Sequence, residues 1–351
     1  MRKRILIAPL NWGLGHATRC IPIIKALLAY GFEPIIASDG EALLLLQKEF
    51  ATLSSIELPS YNITYAKKGK HFKLKMIKDS PYLIKTIKAE KKAIKAIVDM
   101  HDICGIISDS RLGVYSKKVP SVFITHQLNV LSGTTSWLST KLHQKIIKKF
   151  DECWVPDNAD EPNLSGKLGH TKAFKTPTKY LGLLSRFNKK NISITNDILV
   201  LLSGPEPQRT LLEEKLFKEL NAYNGSIIFV RGVMEKEQKI AIKANMSIYN
   251  FMTTDLLEKT INQSRLIISR SGYTTIMDLA KLKKHAFFIA TPGQFEQEYL
   301  ALRLTKKGFV PSCNQDDFTA ERLKNIDDFK GLKMFDSHLD FKDLFGLFEC
   351  K

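Results

Sequence analysis

The chain has 351 residues, of which 44% are hydrophobic and 25% charged, as is typical of a globular protein with two domains of about 150 residues. No run approaches the ~20 apolar residues of a membrane span, and the five cysteines follow no metal-ligand or disulfide spacing. The first residues are basic and then apolar, but this run is short and no signal-cleavage site follows. These features predict a cytoplasmic protein without a metal. The net charge of +17 indicates an anionic partner or a basic surface.

The first informative segment is a glycine turn between a strand pattern and a helix pattern. An apolar run at 5–8 leads into Gly13-Leu14-Gly15-His16, and a helical pattern follows to about residue 31. Glycine suits such a turn because it tolerates positive φ and lets a ligand approach the backbone. The helix N-terminus favours an anion there, and His16 adds a titratable side chain. Gly13, Gly15 and His16 are therefore candidate site residues, although a purely structural turn has the same pattern.

Short apolar runs alternate with helical patterns along the whole chain, which is typical of doubly wound parallel sheets. Expected strands of the first half are 4–8, 33–37, 55–58, 105–108, 122–125 and 152–155, and of the second half 197–202, 226–230, 247–249, 266–269 and 286–290. The predicted fold is α/β, with two Rossmann-like domains facing a central cleft. Their predicted boundaries are 1–165 for the N-terminal domain, 166–196 for a linker, 197–330 for the C-terminal domain and 331–351 for a helix returning to the first domain.

Parallel strands end at one edge of a sheet, and ligands bind there. In the first half, Asp109 follows the strand at 105–108 and His126 follows that at 122–125. A carboxylate beside His16 would fix its tautomer and raise its basicity, so that the pair could deprotonate a hydroxyl or a water. His126 is a rival partner or an acceptor contact. Asp109 is also the residue type that caps a helix start.

The second half presents three polar loops at the corresponding strand ends. Small residues before a helix suit a diphosphate, because free N–H groups point at it. Asp278, one turn into the next helix, suits the ribose hydroxyls, and the 294–297 loop suits a sugar. The residues concerned are Ser203 and Gly204 in the first loop, Arg270, Ser271, Gly272 and Thr275 in the second, and Gln294, Glu296 and Gln297 in the third. No Asp-x-Asp pair occurs to bind a metal at the diphosphate. The negative charge of a leaving diphosphate is therefore expected to be stabilised by helix N-termini, hydroxyls and Arg270 or Arg209.

Together these motifs resemble GT-B glycosyltransferases, especially family 28. The resemblance rests on Gly13-Leu14-Gly15-His16 with Pro22, and on segments 269–280 and 292–297. It implies an inverting, metal-independent enzyme that moves a sugar from a UDP-sugar, with UDP-N-acetylglucosamine as the candidate donor, to a hydroxyl acceptor on a lipid or cell-envelope glycan. No cofactor is implied beyond the UDP-sugar co-substrate.

The resemblance also implies residue roles. His16 would be the base and Asp109 its orienting carboxylate, while the first domain would hold the acceptor. Phe251 and Met252 would lie against uracil, and Asp278 would bind the ribose. The other implied contacts are Ser271, Gly272 and Thr275 at the diphosphate and Gln294, Glu296 and Gln297 at the sugar. The 203–208 loop departs from the glycine-rich loop of the lipid II-forming members, which argues against lipid I as the acceptor.

Two other functions fit the same motifs. Gly15-His16-Ala17-Thr18-Arg19-Cys20 is similar to a turn of the UDP-sugar hydrolase of pseudaminic acid synthesis, in which the histidine would activate water. A non-catalytic protein that binds a nucleotide sugar would also keep the donor motifs.

The segment 67–95 carries eleven lysines interleaved with apolar residues. It suits an anionic membrane surface, which would place the protein at the inner face of the cytoplasmic membrane, or a phosphate-bearing acceptor. A solvated helix face has the same pattern. Nucleic acid is not an expected partner, because no aromatic-basic motif accompanies the charge.

Overall fold

The computed structural model describes residues 3–62, 72–171, 174–204, 206–233, 235–335 and 340–349, with the backbone alone over 72–80. These residues form two compact units, each built on one seven-stranded sheet. The first unit runs to residue 62, covers 73–186 and resumes at 340–349, whereas the second covers 187–335. The second unit is thus inserted in the sequence of the first.

The first unit is a parallel sheet with the strand order β3-β2-β1-β4-β5-β6-β7. All of its neighbouring strands pair in parallel. Its elements are β1 (Arg4–Pro9), α1 (Gly15–Ala29), β2 (Glu33–Ser38), α2 (Gly40–Glu49), β3 (Ser55–Glu57), α3 (Phe72–Met100), β4 (Ile103–Asp109), β5 (Ser121–Ile124), α4 (Ser136–Ile147), β6 (Glu152–Val155) and β7 (Thr178–Tyr180).

The second unit has the strand order β10-β11-β9-β8-β12-β13-β14. Its strands are parallel except for β10, which forms an antiparallel hairpin with β11. Its elements are β8 (Asn196–Leu201), α5 (Gln208–Leu220), β9 (Ile227–Val230), β10 (Ile240–Lys243), β11 (Met246–Tyr249), α6 (Thr254–Gln263), β12 (Ser264–Ser269), α7 (Tyr273–Lys281), β13 (His285–Ile289), α8 (Phe295–Lys306) and β14 (Ser312–Cys313).

Both sheets are buried on their two faces, which explains their continuous apolar runs. Every residue from Ile5 to Ala8 in β1 is fully buried, as are Ile267 and Ile268 in β12. A strand covered by helices on both sides has no solvent face, and its sequence is therefore continuously apolar instead of alternating. The prediction of two parallel α/β sheets is confirmed.

Three strands were not predicted. β7 lies inside the expected linker and belongs to the first sheet, where it pairs with β6. β10 is exposed at all four positions, so it lacks the buried run that identified the other strands. β14 has only two residues, too few for a periodic signal. All three strands lie at an edge of their sheet, where burial imposes little pattern on the sequence.

The chain returns to the first unit after leaving the second. Phe345, the last residue of α9 (Phe341–Phe345), lies edge-on to Tyr30 and Phe32, each with ring centroids 5.7 Å apart. Phe348 is buried beside Trp154, at 6.2 Å between ring centroids. A Cβ built on Gly105 in β4 would overlap the ring of Phe348. Residues 341–348 therefore complete the core of the first unit.

Among the helices of the described residues, none is both long enough and apolar enough to cross a membrane.

Gly105→Ala should destabilise the first unit by about 1–3 kcal/mol, because the added methyl group displaces the Phe348 ring. Tryptophan fluorescence during urea unfolding measures this selectively, since the chain's three tryptophans, Trp12, Trp137 and Trp154, all belong to that unit.

Gly346→Ala is the matched control, because a Cβ there meets nothing within 4 Å. It should change the free energy of unfolding by less than about 0.5 kcal/mol. Equal stability of the two variants would show that Phe348 does not sit against β4.

Candidate active site

The loop from β1 to α1 brings His16 to the carboxyl edge of the first sheet. Gly13 has φ of +72°, a conformation that side chains with a Cβ rarely adopt. α1 then begins at Gly15, so His16 occupies the first turn of the helix. Its side chain is 17% exposed, which leaves part of the imidazole accessible.

His16 is paired with Asp109, the last residue of β4. Strands β1 and β4 are neighbours in the sheet, with Pro9 in register with Asp109. The Nδ1 atom of His16 lies 2.8 Å from Oδ1 of Asp109, a strong hydrogen bond in geometry. The structure therefore brings together two residues that are 93 positions apart in the sequence.

A third residue, Arg19, completes this group and was not predicted. Its guanidinium donates from Nε and Nη2 to the two carboxylate oxygens of Asp109, a two-pronged ion pair between fully buried side chains. Nη2 also lies 3.0 Å from Nδ1 of His16. The sequence did contain a signal, since positions 16 and 19 lie three apart on a helix and so share a face.

The Arg19 cation determines the charge of Asp109. Burial would raise the pKa of this carboxyl group, but Arg19 and then His16 outweigh it and hold the pKa well below its usual range. Asp109 is therefore ionised at neutral pH, and its charge is matched within the buried group.

The pKa of His16 is lowered. Burial has the largest effect and lowers it, Asp109 opposes this, and the Arg19 cation lowers it further. An ordinary histidine has a pKa of about 6.5, so His16 is neutral at pH 7. A neutral imidazole with a carboxylate on Nδ1 is a proton acceptor at Nε2. This arrangement is suited to general-base chemistry on a hydroxyl or a water.

His126 and Cys20 lie beside this group. Nδ1 of His126 is 3.2 Å from Nη1 of Arg19, so His126 contacts the guanidinium instead of competing for Asp109. Cys20 is fully buried, and its thiol donates to Asp109 at 3.7 Å. Burial and the neighbouring carboxylate raise the pKa of that thiol well above its usual value.

A second buried ion-pair network supports the same sheet edge. Arg111, fully buried two residues after Asp109, donates to Asp39 and Glu90, each at 2.7 Å. Glu90 in α3 also accepts a hydrogen bond from the Tyr61 hydroxyl. This network joins α3 to the loops after β2, β3 and β4, and thereby fixes the backbone that carries Asp109.

The predicted donor residues of the second unit all follow carboxyl ends of parallel strands in its sheet. Ser203 and Gly204 follow β8 and are exposed, and Gly204 has φ of +103°. Met252 follows β11 and is half-buried. The segments 270–272 and 290–297 follow β12 and β13. The strand order β11-β9-β8-β12-β13 places these loops along one continuous edge.

Arg270 has a different environment from the one expected. Its buried guanidinium donates to the carbonyls of Gln208, Ile289 and Ala290 at 2.8, 3.3 and 3.0 Å, and to the side chain of Gln315 at 2.6 Å. These bonds hold the start of α5 against the end of β13. They do not favour the predicted contact with a diphosphate, and Arg209 is likewise paired, with Glu206 and Glu213.

The α7 helix presents a polar half-buried face. Gly272, its N-cap residue, is followed by Thr275 and Asp278 at helical spacing, and all three are half-buried. The opposite face, with Ile276 and Met277, is fully buried in the unit. This is the face that the sequence assigned to a diphosphate and a ribose.

The 294–297 segment is held against the start of α7. Ser271 donates from its hydroxyl to the carbonyl of Gln297 at 2.8 Å. The amide oxygen of Gln297 accepts from the backbone N–H of Thr291 at 2.9 Å, which fixes its side-chain orientation. Gln294 and Glu296 are half-buried at the N-terminus of α8.

The predicted basic segment and the predicted absence of a metal site can be compared with the structure only over the described residues. Of the basic segment, residues 67–71 lie outside the described residues, and side chains are described only from Pro81 onwards. Within the described ranges, no three His, Cys, Asp or Glu side chains are arranged to hold a metal ion.

Asp109→Asn should destabilise the first unit by about 3–5 kcal/mol at pH 6, because it leaves the Arg19 cation buried without a counter-charge. The folded-state pKa of Asp109 is lowered, so its stabilisation is complete above the unfolded-state pKa of about 3.9 and is lost as the pH falls towards the folded-state pKa. The difference in the free energy of unfolding between wild type and variant should therefore decrease below about pH 4. Urea unfolding followed by tryptophan fluorescence measures it.

The control is Asp99→Asn, an exposed carboxylate paired with Lys118 in the same unit. Its stability should follow that of the wild type within about 0.5–1 kcal/mol. A gap for Asp109→Asn that stays constant down to pH 3 would contradict the assigned charge.

Comparison with known proteins agrees with this description. Residues 208–328 match the family model "Glycosyltransferase family 28 C-terminal domain". A Haemophilus ducreyi protein named UDP-N-acetylglucosamine--N-acetylmuramyl-(pentapeptide) pyrophosphoryl-undecaprenol N-acetylglucosamine transferase is 25% identical over 61% of the chain and 59% of its own length. The alignment thus spans less than two thirds of this relative. The Clostridium botulinum protein of the same name is 23% identical over 89% of the chain and 85% of its own length.

The fold also has relatives among solved structures. The crystal structure of Acinetobacter baumannii MurG superimposes with a TM-score of 0.56 at 14% identity, covering 95% of this chain and 93% of that one. Residues 208–328 are thus similar in sequence to family 28 glycosyltransferases, and the chain as a whole has the fold of a solved glycosyltransferase structure.

Proposed function

We propose that this protein transfers a sugar from a UDP-sugar to a hydroxyl acceptor, with inversion at the anomeric carbon and without a metal ion. The observation that carries the proposal is His16, a neutral, partly accessible imidazole held by Asp109 at the edge of a sheet in a family 28-like fold. A base of this kind is what attack by a hydroxyl requires.

In the proposed reaction, Nε2 of His16 takes the proton of the acceptor hydroxyl as its oxygen attacks the anomeric carbon. The bond from that carbon to the diphosphate oxygen breaks, and its electron pair leaves with UDP. Asp109 stabilises the imidazolium that forms, because its carboxylate already accepts from Nδ1. Attack from the side opposite the leaving group inverts the configuration.

We assign the donor to the second unit. The polar face of α7, with Gly272, Thr275 and Asp278, supports a diphosphate near the helix N-terminus and a ribose one turn further on. Phe251 and Met252 would contact the uracil, and the fixed amide of Gln297 would meet the sugar together with Gln294 and Glu296. Helix N-termini would stabilise the charge of the departing UDP in place of a metal.

We assign the acceptor to the first unit and propose that it is lipid- or glycan-linked. The printed names of the relatives describe a pyrophosphoryl-undecaprenol acceptor and a UDP-N-acetylglucosamine donor for those proteins. UDP-N-acetylglucosamine is therefore the first donor to test. An acceptor of this type would reside in a membrane, so the protein must reach the bilayer surface.

The surface of α4 supports such a contact. Of its twelve residues only Ile147 is buried, and Trp137, Leu138 and Leu142 are 63%, 45% and 56% exposed. Four exposed lysines accompany them between residues 141 and 149, and the stretch 128–150 contains no acidic residue. Apolar side chains within a basic surface suit an anionic bilayer. The lysines of α3 beyond Pro81 extend the basic character of the unit.

His16→Ala and Asp278→Ala should have opposite effects on catalysis and donor binding. His16→Ala should lower kcat by roughly 10²–10⁴-fold with unchanged affinity for UDP, because it removes the general base alone. Asp278→Ala should weaken UDP binding by roughly tenfold, the value of one lost hydrogen-bonding partner. Turnover assays with UDP-N-acetylglucosamine and a membrane extract, together with calorimetric UDP titration, measure both.

Each variant is the control for the other. Near-normal turnover of His16→Ala would end the proposed mechanism, and unchanged UDP affinity of Asp278→Ala would remove that residue from the ribose site. Wild-type protein incubated with UDP-sugar alone separates the alternatives: rapid release of free sugar would indicate a hydrolase, and binding without turnover a nucleotide-sugar-binding protein.

Trp137→Ser/Leu142→Ser should abolish binding to vesicles containing phosphatidylglycerol, because it removes the two most exposed apolar side chains of α4. Wild-type binding in co-sedimentation should weaken at high salt, since screening reduces the attraction of the lysines. Leu211→Ser, a 44% exposed position in the second unit, is the matched control and should bind normally. Failure of the wild type to bind at low salt would refute the membrane contact.

A further inference from the structure

We infer that Arg19 fixes His16 and His126 in opposite tautomers, and that it is a positioning residue for the proton transfer proposed above. The buried guanidinium of Arg19 donates two hydrogen bonds to the carboxylate of Asp109. It also lies 3.0 Å from Nδ1 of His16 and 3.2 Å from Nδ1 of His126. Arg19 is thus the common neighbour of both imidazoles.

The tautomer of His126 follows from the chemistry of arginine. A guanidinium carries only donors and stays protonated at any pH at which the protein is folded. A guanidinium nitrogen can therefore hydrogen-bond to an imidazole nitrogen only when the imidazole nitrogen accepts. A neutral imidazole has one acceptor and one donor nitrogen, so His126 accepts at Nδ1 and carries its proton on Nε2. The side-chain amide of Gln127 lies 3.5 Å from Nε2, and this tautomer requires its oxygen to be the atom that faces the ring.

The tautomer of His16 is the reverse. Its Nδ1 lies closer to Oδ1 of Asp109, at 2.8 Å, than to Nη2 of Arg19, at 3.0 Å. Without a proton on Nδ1, two lone pairs would meet at 2.8 Å inside a buried site. With the proton there, Nδ1 donates to the carboxylate and Nε2 keeps the lone pair that a general base needs. Nη2 of Arg19 donates to the same carboxylate oxygen, so its contact with Nδ1 is not itself a hydrogen bond.

Arg19 also controls when that lone pair is available. The charged and titratable groups facing His16 are Asp109 at the end of β4, Arg19 on α1 and His126 after β5. Asp109 alone would favour the imidazolium, which cannot act as a base. The guanidinium offsets this effect and holds both oxygens of the carboxylate, so that Asp109 orients His16 without keeping it protonated.

The tautomers are tested directly by NMR on protein labelled with ¹⁵N at histidine, because protonated and unprotonated ring nitrogens have distinct chemical shifts. At pH 7, His16 should carry its proton on Nδ1 and His126 on Nε2. Finding both residues in the same tautomer would overturn the inference. This measurement needs no substrate, so it stands or falls separately from the proposed glycosyl transfer.

Two substitutions separate charge from geometry. Arg19→Gln removes the cation and should raise the pKa of His16, which moves the acid limb of the kcat/KM profile to higher pH. Arg19→Lys keeps the cation but loses the planar fork. It should leave the acid limb in place but lower kcat by roughly tenfold to a hundredfold, because His16 is no longer correctly oriented. His126 should then no longer be held in a single tautomer.

The control is Lys25→Gln, which removes an exposed cation from the same helix and should change neither tautomer nor profile. If Arg19→Gln does not fold, Arg19→Lys still decides the question. Wild-type kcat and unchanged tautomers in Arg19→Lys would overturn the positioning role. Tautomers as inferred without any sugar transfer would instead refute the proposed function alone.

Discussion

The buried ion pair between Arg19 and Asp109 is the constraint on which the first unit's site depends. A carboxylate without solvent is costly unless it is matched, and an unmatched cation is equally costly. The pair resolves both and joins the first helix to the fourth strand. His16 is positioned as a consequence, because its imidazole contacts a carboxylate that can no longer rotate.

Buried arginines recur at the carboxyl edges of both sheets. Arg19, Arg111 and Arg270 are among the largest fully or almost fully buried side chains, and each follows a strand or faces its end. Arg111 matches two carboxylates, whereas Arg270 uses three backbone carbonyls and one amide. Loops at such edges contain backbone groups that no neighbouring strand satisfies. A planar side chain with five donors can hold several of them at once.

The sequence was sufficient to predict the sheets and the meeting of His16 with Asp109. Buried parallel strands leave long apolar runs, and the polar residue after each run must lie at the common edge. The roles of Arg19 and Arg270 were not accessible in this way. Hydrophobic periodicity treats an arginine as a surface residue, and only the three-dimensional arrangement shows which acid or carbonyl matches it. The edge strands were missed because β10 is exposed, and because β7 and β14 have only three and two half-buried residues, too few for a periodic signal.

The return of the chain to the first unit has a consequence for biosynthesis. Phe345 and Phe348 fill the space beside Tyr30, Phe32 and Trp154, but they follow the entire second unit in the sequence. During synthesis, the core of the first unit therefore stays incomplete, with an open apolar groove, until about 150 further residues have left the ribosome. Residues 187–335 of the second unit are continuous in sequence and meet no such delay, so they can fold while the first unit is still incomplete.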